Sequence, residues 1–229
     1  MSGDWPCQEG EGVFRGSEAV TAGVLTADQL RGPQFRRLYR DVYLPSAMPI
    51  THPVCCEGAA LALPTAAVIT GRSAATLRGI PLARAIDPVE IVVPLETRIA
   101  RRSGVDVRRS DIATDEKAQW SRISLATPLR MSLDLLLDRA LPDAVADLDA
   151  VLRTGTIDLD AVRQMVNERS DRGIVKARHA LELADPRAES RPESRLRVHL
   201  VLDGLEPQPQ YLVCDCQDVV AAVRTALAR

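Results

Sequence analysis

Apolar positions recur at helical spacing through the second half of this chain, and they alternate or cluster in short runs through the first half. From Thr127 the leucines of "LRMSLDLLLDRA" fall three to four residues apart, with Thr127 placed to cap and Pro128 at the first helical position. Pro142 opens "DAVADLDAVLRTG", which Gly155 ends; Asp158 caps "LDAVRQMVNERS", and Gly173 precedes "IVKARHALELAD". These short helices, each with one apolar stripe, predict a compact helical layer. A last helix is predicted from "SRPESRLRVHLVLDG". Ser190 is its N-cap, Glu193 stands at the third helical position of a capping box, Pro192 fits the first turn and Gly204 stops it. Leu196, Leu200 and Val201 are its expected buried stripe.

The first half follows another rhythm. Ser17 to Ala22 reads as a short helix broken at Gly23. Thr26 caps a second one, with Gln29 completing a capping box and Gly32-Pro33 stopping it. In "FRRLYRDVYLP" apolar residues alternate with arginines and tyrosines, which predicts a strand or tight hairpin. "AAVITGRSAATLRGIPL" reads as a buried strand end, a glycine turn and a helix from Ser73 to Arg78; "PVEIVVP", "GVDVRRS" and "RISLATP" are further strands. In the second of these, Val105 and Val107 alternate against Asp106 and Arg108.

The fold class expected from this order is α+β. A disordered start over 1–13 leads into a winged-helix-like unit over 14–45, then a mixed α/β and helical domain over 46–185. A C-terminal segment over 186–229 follows.

Composition narrows the function classes. Hydrophobic residues make up 46% and charged residues 26%, so the chain buries a core rather than remaining disordered. No apolar run is long enough for a membrane span, and the acidic "MSGDWPCQEGEG" lacks the chemistry of a secretion signal, so a cytoplasmic location is expected. Cys7, Cys55, Cys56, Cys214 and Cys216 contain no CxxC pair, which supports neither a disulfide framework nor a zinc site; no metal or other cofactor is expected. Net charge is −2, so no global field draws the chain to nucleic acid. Its distribution matters more. Lysine occurs only at Lys117 and Lys176, and the cationic charge is otherwise arginine, whose planar fork suits phosphate.

Arg31, Arg36, Arg37 and Arg40 lie close together with only Asp41 opposing them, a local patch for backbone phosphates. Thr26 and Gln34 are the polar side chains placed to set register or read a base edge. Arg98, Arg101, Arg102, Arg108 and Arg109 form a second cluster around "SGVDV", either a solvated hairpin or a continuation of the same face. Asp134 and Asp149 read as polar residues on helix faces, and Ser73 has no histidine that local pattern sets beside it.

"AGVLTADQLRG…FRRLYRDVYLP" resembles the N-terminal domain of AbiEi-type antitoxins, in which an LTxxQL helix precedes a recognition helix and a basic hairpin ending in D-V-Y. Between Leu30 and Phe35 stands only "RGPQ", too short for that recognition helix. "ITGRSAATLRGIPL", "DPVEIVVP" and "ATPLRMSLDLLLDRALPDAVADLDAVLRTG" resemble segments of a bacterial family joining an AbiEi-like part to a very-short-patch-repair-endonuclease-like domain. The resemblance covers roughly residues 14 to 215.

In such endonuclease-like domains the counterpart of Glu193 shares a metal with carboxylates on the following strands. Here "AAVRTALAR" stands where those carboxylates are expected, with Arg224 or Thr225 at the aspartate's place. The C-terminal segment is therefore expected to be a truncated, catalytically dead endonuclease-like tail, with Glu193 a vestigial cap and no catalytic residue. From about residue 205 onward it is expected to be poorly ordered, to pair with the preceding domain, or to mediate dimerisation. The resemblance implies a non-enzymatic, DNA-associated protein, antitoxin-like or autoregulator-like, whose partners are DNA and a toxin encoded by a neighbouring gene; a homodimer stays open. The alternatives are a residual or partner-completed metal-dependent endonuclease, and a protein-interaction module that neutralises a toxin.

Overall fold

A computed structural model describes residues 12–100 and 102–205. They form an α+β fold that divides into two compact units, Met1–Asp134 and Leu135–Arg229. The division falls inside a helix, where sequence pattern suggests breaks near 45 and 185. Residues 1–11 of the expected disordered start, and the expected features of the tail beyond Leu205, lie outside the described residues.

The first unit opens with β1 (Phe14–Arg15), α1 (Gly16–Thr21), α2 (Ala27–Arg31), β2 (Phe35–Tyr39) and β3 (Val42–Pro45). The three strands pair antiparallel in the order β1-β3-β2, with Phe14 opposite Tyr43 and Tyr39 opposite Val42. Both bonds of the expected capping box are present on α2: Gln29 N–H donates to Thr26 Oγ1 at 3.2 Å, and Thr26 N–H donates to Gln29 Oε1 at 2.7 Å. Only Gly32 to Gln34 separate α2 from β2, so no further helix precedes the hairpin. Phe14 meets Phe35 edge-on at 5.5 Å and stacks on Tyr43 at 6.2 Å, while Val42 and Leu44 point into the core.

The next element, α3 (His52–Ala62), has no amphipathic signature in the sequence, because "HPVCCEGAALA" is small or apolar nearly all round. What starts it is Thr51, whose hydroxyl accepts from Val54 N–H at 3.4 Å, with Pro53 in the first turn. This helix carries the hairpin. A Cβ at Gly58 would lie 2.6 Å from Leu38 Cδ2 and 3.1 Å from the Tyr39 ring, so glycine permits the close approach.

Beyond α3 come β4 (Val68–Ile69), α4 (Gly71–Leu77), β5 (Val89–Val93), β6 (Val105–Arg109), β7 (Lys117–Trp120), β8 (Ile123–Ala126) and α5 (Pro128–Asp138). The sheet runs β6-β5-β4-β8-β7; β4–β8 and β5–β6 are parallel, β4–β5 and β7–β8 antiparallel. Sequence pattern located β5, β6 and β8 and missed β7, whose "KAQW" is polar and lies at an edge.

The second unit is helical: the end of α5, then α6 (Leu141–Leu152), α7 (Leu159–Asn167), α8 (Ile174–Glu182) and α9 (Arg191–Leu202). Every residue of α6 from Ala144 to Leu152 is buried, and α8 and α9 pack against it. Gly173 adopts φ +93° before α8, where a Cβ would lie 3.2 Å from the Leu137 carbonyl. Lys176 Nζ donates to the Leu137 and Arg139 carbonyls at 2.8 and 2.5 Å, closing the open end of α5.

The inward face of α9 differs from the expected stripe. Ser194 and Val198 are buried, Leu196 and Leu200 are half-buried, and Val201 is exposed. The reason is charge on α6. Asp147 and Asp149 are buried there and draw the guanidinium groups of Arg191 and Arg197 inward, at 2.5 and 2.7 Å. A buried carboxylate without a cation costs more than a leucine left half-wet, so the arginines set the helix's rotation.

Candidate nucleic-acid interface

The β2–β3 hairpin exposes Arg36, Arg37 and Arg40. Its two-residue tip, Arg40-Asp41, places Asp41 at φ +62°, a conformation that Asp tolerates better than bulkier residues. The carboxylate that sequence set against the arginines is used elsewhere: Asp41 accepts from Ser17 N–H at 2.8 Å and from the Ser17 hydroxyl at 2.5 Å. Arg36 donates to the Met48 carbonyl, while Arg37 and Arg40 form no ion pair among the described residues. Arg31 pairs with Asp28 at 2.6 Å within α2, both side chains well exposed, so solvent competes easily for that pair. Thr26 is occupied as a cap, and Gln34 is exposed just ahead of β2.

The hairpin is anchored within its unit. Tyr39 donates its hydroxyl to the Cys55 carbonyl at 3.2 Å, and Arg15 donates through Nε to the Leu61 carbonyl at 2.9 Å, both on α3. Glu18 on α1 receives Arg122 from the β7–β8 turn at 3.2 and 3.3 Å. Burial of the Tyr39 phenol raises its pKa well above the ordinary value, so it stays a donor.

The second arginine cluster splits. Arg109 is exposed at the end of β6. Arg108 alternates to the opposite face and pairs with Asp134 of α5, so the expected solvated or phosphate-facing side chain is instead committed to a buried ionic centre. There Arg130, with 0% side-chain exposure, donates to Glu116 at 2.8 Å, to Asp134 at 3.1 Å and to the Asp111 carbonyl at 2.8 Å; Thr70 donates to Asp134 at 2.5 Å. Two guanidinium groups face two carboxylates, so the buried charge balances. Asp134 and Asp149 are thus core ion-pair acceptors, not ordinary polar residues of helix faces. Burial raises the pKa of Asp149 despite its bonds to Ser194, Asp185 and Arg197.

Tertiary structure also supplies the histidine that local pattern could not set beside Ser73. His52 Nε2 lies 2.8 Å from Ser73 Oγ, and His52 Nδ1 lies 3.0 Å from the Arg84 carbonyl. Both residues are buried, and Ser73 Oγ also accepts from Glu90 N–H at 2.9 Å. A hydroxyl with its proton and its lone pair both engaged inside the core serves packing rather than nucleophilic attack.

Glu193 sits on the first turn of α9. Ser190 Oγ accepts from Glu193 N–H at 3.3 Å, and the Glu193 carboxylate accepts from Glu189 N–H at 2.9 Å, one residue ahead of the expected position. Among the described residues no group of three or more His, Cys, Asp or Glu is placed to hold a metal ion, and no helix is long and apolar enough to cross a membrane.

Fold and site together define an α+β chain that presents a basic hairpin on a three-stranded antiparallel sheet. No family model matches the sequence. It is 31% identical over 163 residues to the uncharacterized proteins Rv2248 and MT2308 of two Mycobacterium tuberculosis strains, covering 70% of this chain and 53% of each of them. The chain spans about half the length of these curated relatives. A crystal structure of the RV2827C protein from Mycobacterium tuberculosis shares the fold, with a TM-score of 0.51 and 13% identity over 87% of this chain and 78% of that one.

Proposed function

We propose that this chain is a non-enzymatic, DNA-associated protein, antitoxin-like or autoregulator-like, that holds duplex DNA through the β2–β3 hairpin. The observation that carries the reading is the exposure of Arg36, Arg37 and Arg40 on one hairpin, anchored to α3 through Tyr39, whose local carboxylate, Asp41, is taken up by Ser17. Guanidinium groups presented in this way neutralise backbone phosphates and release counterions, an attraction largely indifferent to sequence. Base readout has a weaker carrier, because α2 is five residues long and Gln34 lies on a short linker. The cytoplasm is the compartment that fits such a role.

Filter binding of random duplex and of the duplex upstream of the gene, across a salt series, tests this. Retention at about 50 mM salt that weakens steeply toward about 200 mM is expected. Arg37→Ala and Arg40→Ala should each make the plot of log affinity against log salt shallower by about 0.9. No retention at about 50 mM salt rejects the reading.

A further inference from the structure

Two basic stretches far apart in sequence meet at Tyr39. Gly104, at the end of the β5–β6 crossover, has φ +76°, and a Cβ there would lie 3.5 Å from Tyr39 Cε1 and 3.9 Å from its hydroxyl oxygen. The crossover therefore ends against the last residue of β2. Arg40 follows Tyr39 directly, a Cα step of about 3.8 Å, and Arg102 precedes Gly104 by two residues, at most about 7 Å along the chain. The Arg102 carbonyl accepts from Val105 N–H at 3.4 Å, which holds this turn next to the sheet.

Arg102 itself is half-buried, and its Nε is buried without a hydrogen-bond partner among the described residues. Arg78, Arg108 and Arg197 also have a buried Nε of this kind, but each bonds through another guanidinium nitrogen, whereas the Arg102 side chain has no hydrogen bond among the described residues. Arg40 is exposed with no ion pair among the described residues, and Arg98 is exposed on the same crossover. Of the carboxylates near these arginines in sequence, Asp41 is held by Ser17, and Glu96 and Asp106 are exposed. A phosphate oxygen is the acceptor that best suits two guanidinium forks.

We propose that Arg102, together with Arg40 across Tyr39, forms a phosphate-binding site that extends the hairpin interface onto the β5–β6 crossover. Duplex DNA is then held by two separate segments of the chain. This rests on the hairpin reading and deepens it: the second contact comes from the α/β sheet rather than from the winged segment.

The test uses the full chain, with random duplex as the probe. Arg102→Ala should bind more weakly and lower the salt slope by about 0.9, while Arg102→Lys keeps the slope because it keeps the charge. The melting temperature of Arg102→Ala should be unchanged or higher, since the variant removes a buried donor that lacks a partner. Arg163→Ala, at an exposed position of α7, is the control expected to change nothing. Wild-type protein that fails to bind at about 50 mM salt rejects the hairpin reading and this site together. Wild-type binding with an unchanged slope in Arg102→Ala overturns this site alone, as does weaker binding at unchanged slope. Tighter retention of polyglutamate than of duplex overturns it in favour of an acidic protein segment.

Discussion

His52 Nε2 lies 2.8 Å from the hydroxyl of Ser73, in the core between α3 and α4. Since Nδ1 donates to the Arg84 carbonyl, Nε2 must accept from Ser73, which fixes the neutral tautomer. Burial accordingly lowers the His52 pKa, against smaller opposing effects of the Arg84 carbonyl and Asp87. The unfolded chain takes up this proton near pH 6.5, the folded chain only at lower pH. Stability from this residue is then complete above about pH 6.5 and is lost as pH falls below it. Urea midpoints between about pH 7.5 and 5.5 should fall with pH, and His52→Gln should flatten that dependence. Ser73→Ala should cost about 1–3 kcal/mol, since His52 and Glu90 N–H both lose their partner.

The ionic centre around Arg130 predicts a larger loss. Arg130→Met removes the Arg130 cation from Glu116 and one of two guanidinium groups from Asp134. Breaking a buried pair from one side costs about 3–5 kcal/mol, so equilibrium urea unfolding should show a loss of that order. A loss below about 1 kcal/mol would mean that water reaches the cluster.

At the start of α9, Ser190→Ala should destabilise the protein by about 0.5–2 kcal/mol, as for loss of an N-cap. Glu193→Gln retains an acceptor for Glu189 N–H and should be milder than Glu193→Ala. Adding Mg²⁺ or Mn²⁺ should shift the melting temperature of wild-type and Glu193→Ala protein equally. A shift in wild-type alone, or cleavage of DNA that Glu193→Ala abolishes, would restore a metal-ligand role to this residue.

Thiol chemistry offers another check on the packing of α3. Cys55 and Cys56 are buried, and burial pushes the Cys56 thiol up to about 12. In a variant with Cys7, Cys214 and Cys216 changed to serine, native protein at about pH 8 should react with a disulfide reagent only at the rate at which the first unit opens. Fast labelling of both thiols would contradict the packing.

Local signals in the sequence carried a good part of the structure. The Thr26–Gln29 box, the stop at Gly32, the Ser190 cap and the strand at Val89–Val93 all depend on residues a few positions apart, and each appears close to where the pattern sets it. The helix α3 was not legible, since a helix covered nearly all round has no stripe to reveal its period; the Thr51-His52-Pro53 start was the one usable signal. Of the candidate residues, Arg36, Arg37, Arg40 and Arg109 lie exposed, whereas Arg108 turns inward. A strand alternation states that Arg108 lies on the face opposite Val107 but not that α5 covers that face.

By itself, then, the sequence determined most of the elements, several of their caps and the arginine content of the hairpin, because propensity, capping and periodicity act over one or two turns. Only the tertiary structure decided that Asp41 serves Ser17 rather than its neighbouring arginines, that His52 meets Ser73, that Asp147 and Asp149 draw the arginines of α9 inward, and that Gly104 closes on Tyr39. Those pairings join residues distant in the chain, and the buried ionic ones are fixed by desolvation: a charge taken from water must find its partner in whatever element packs against it.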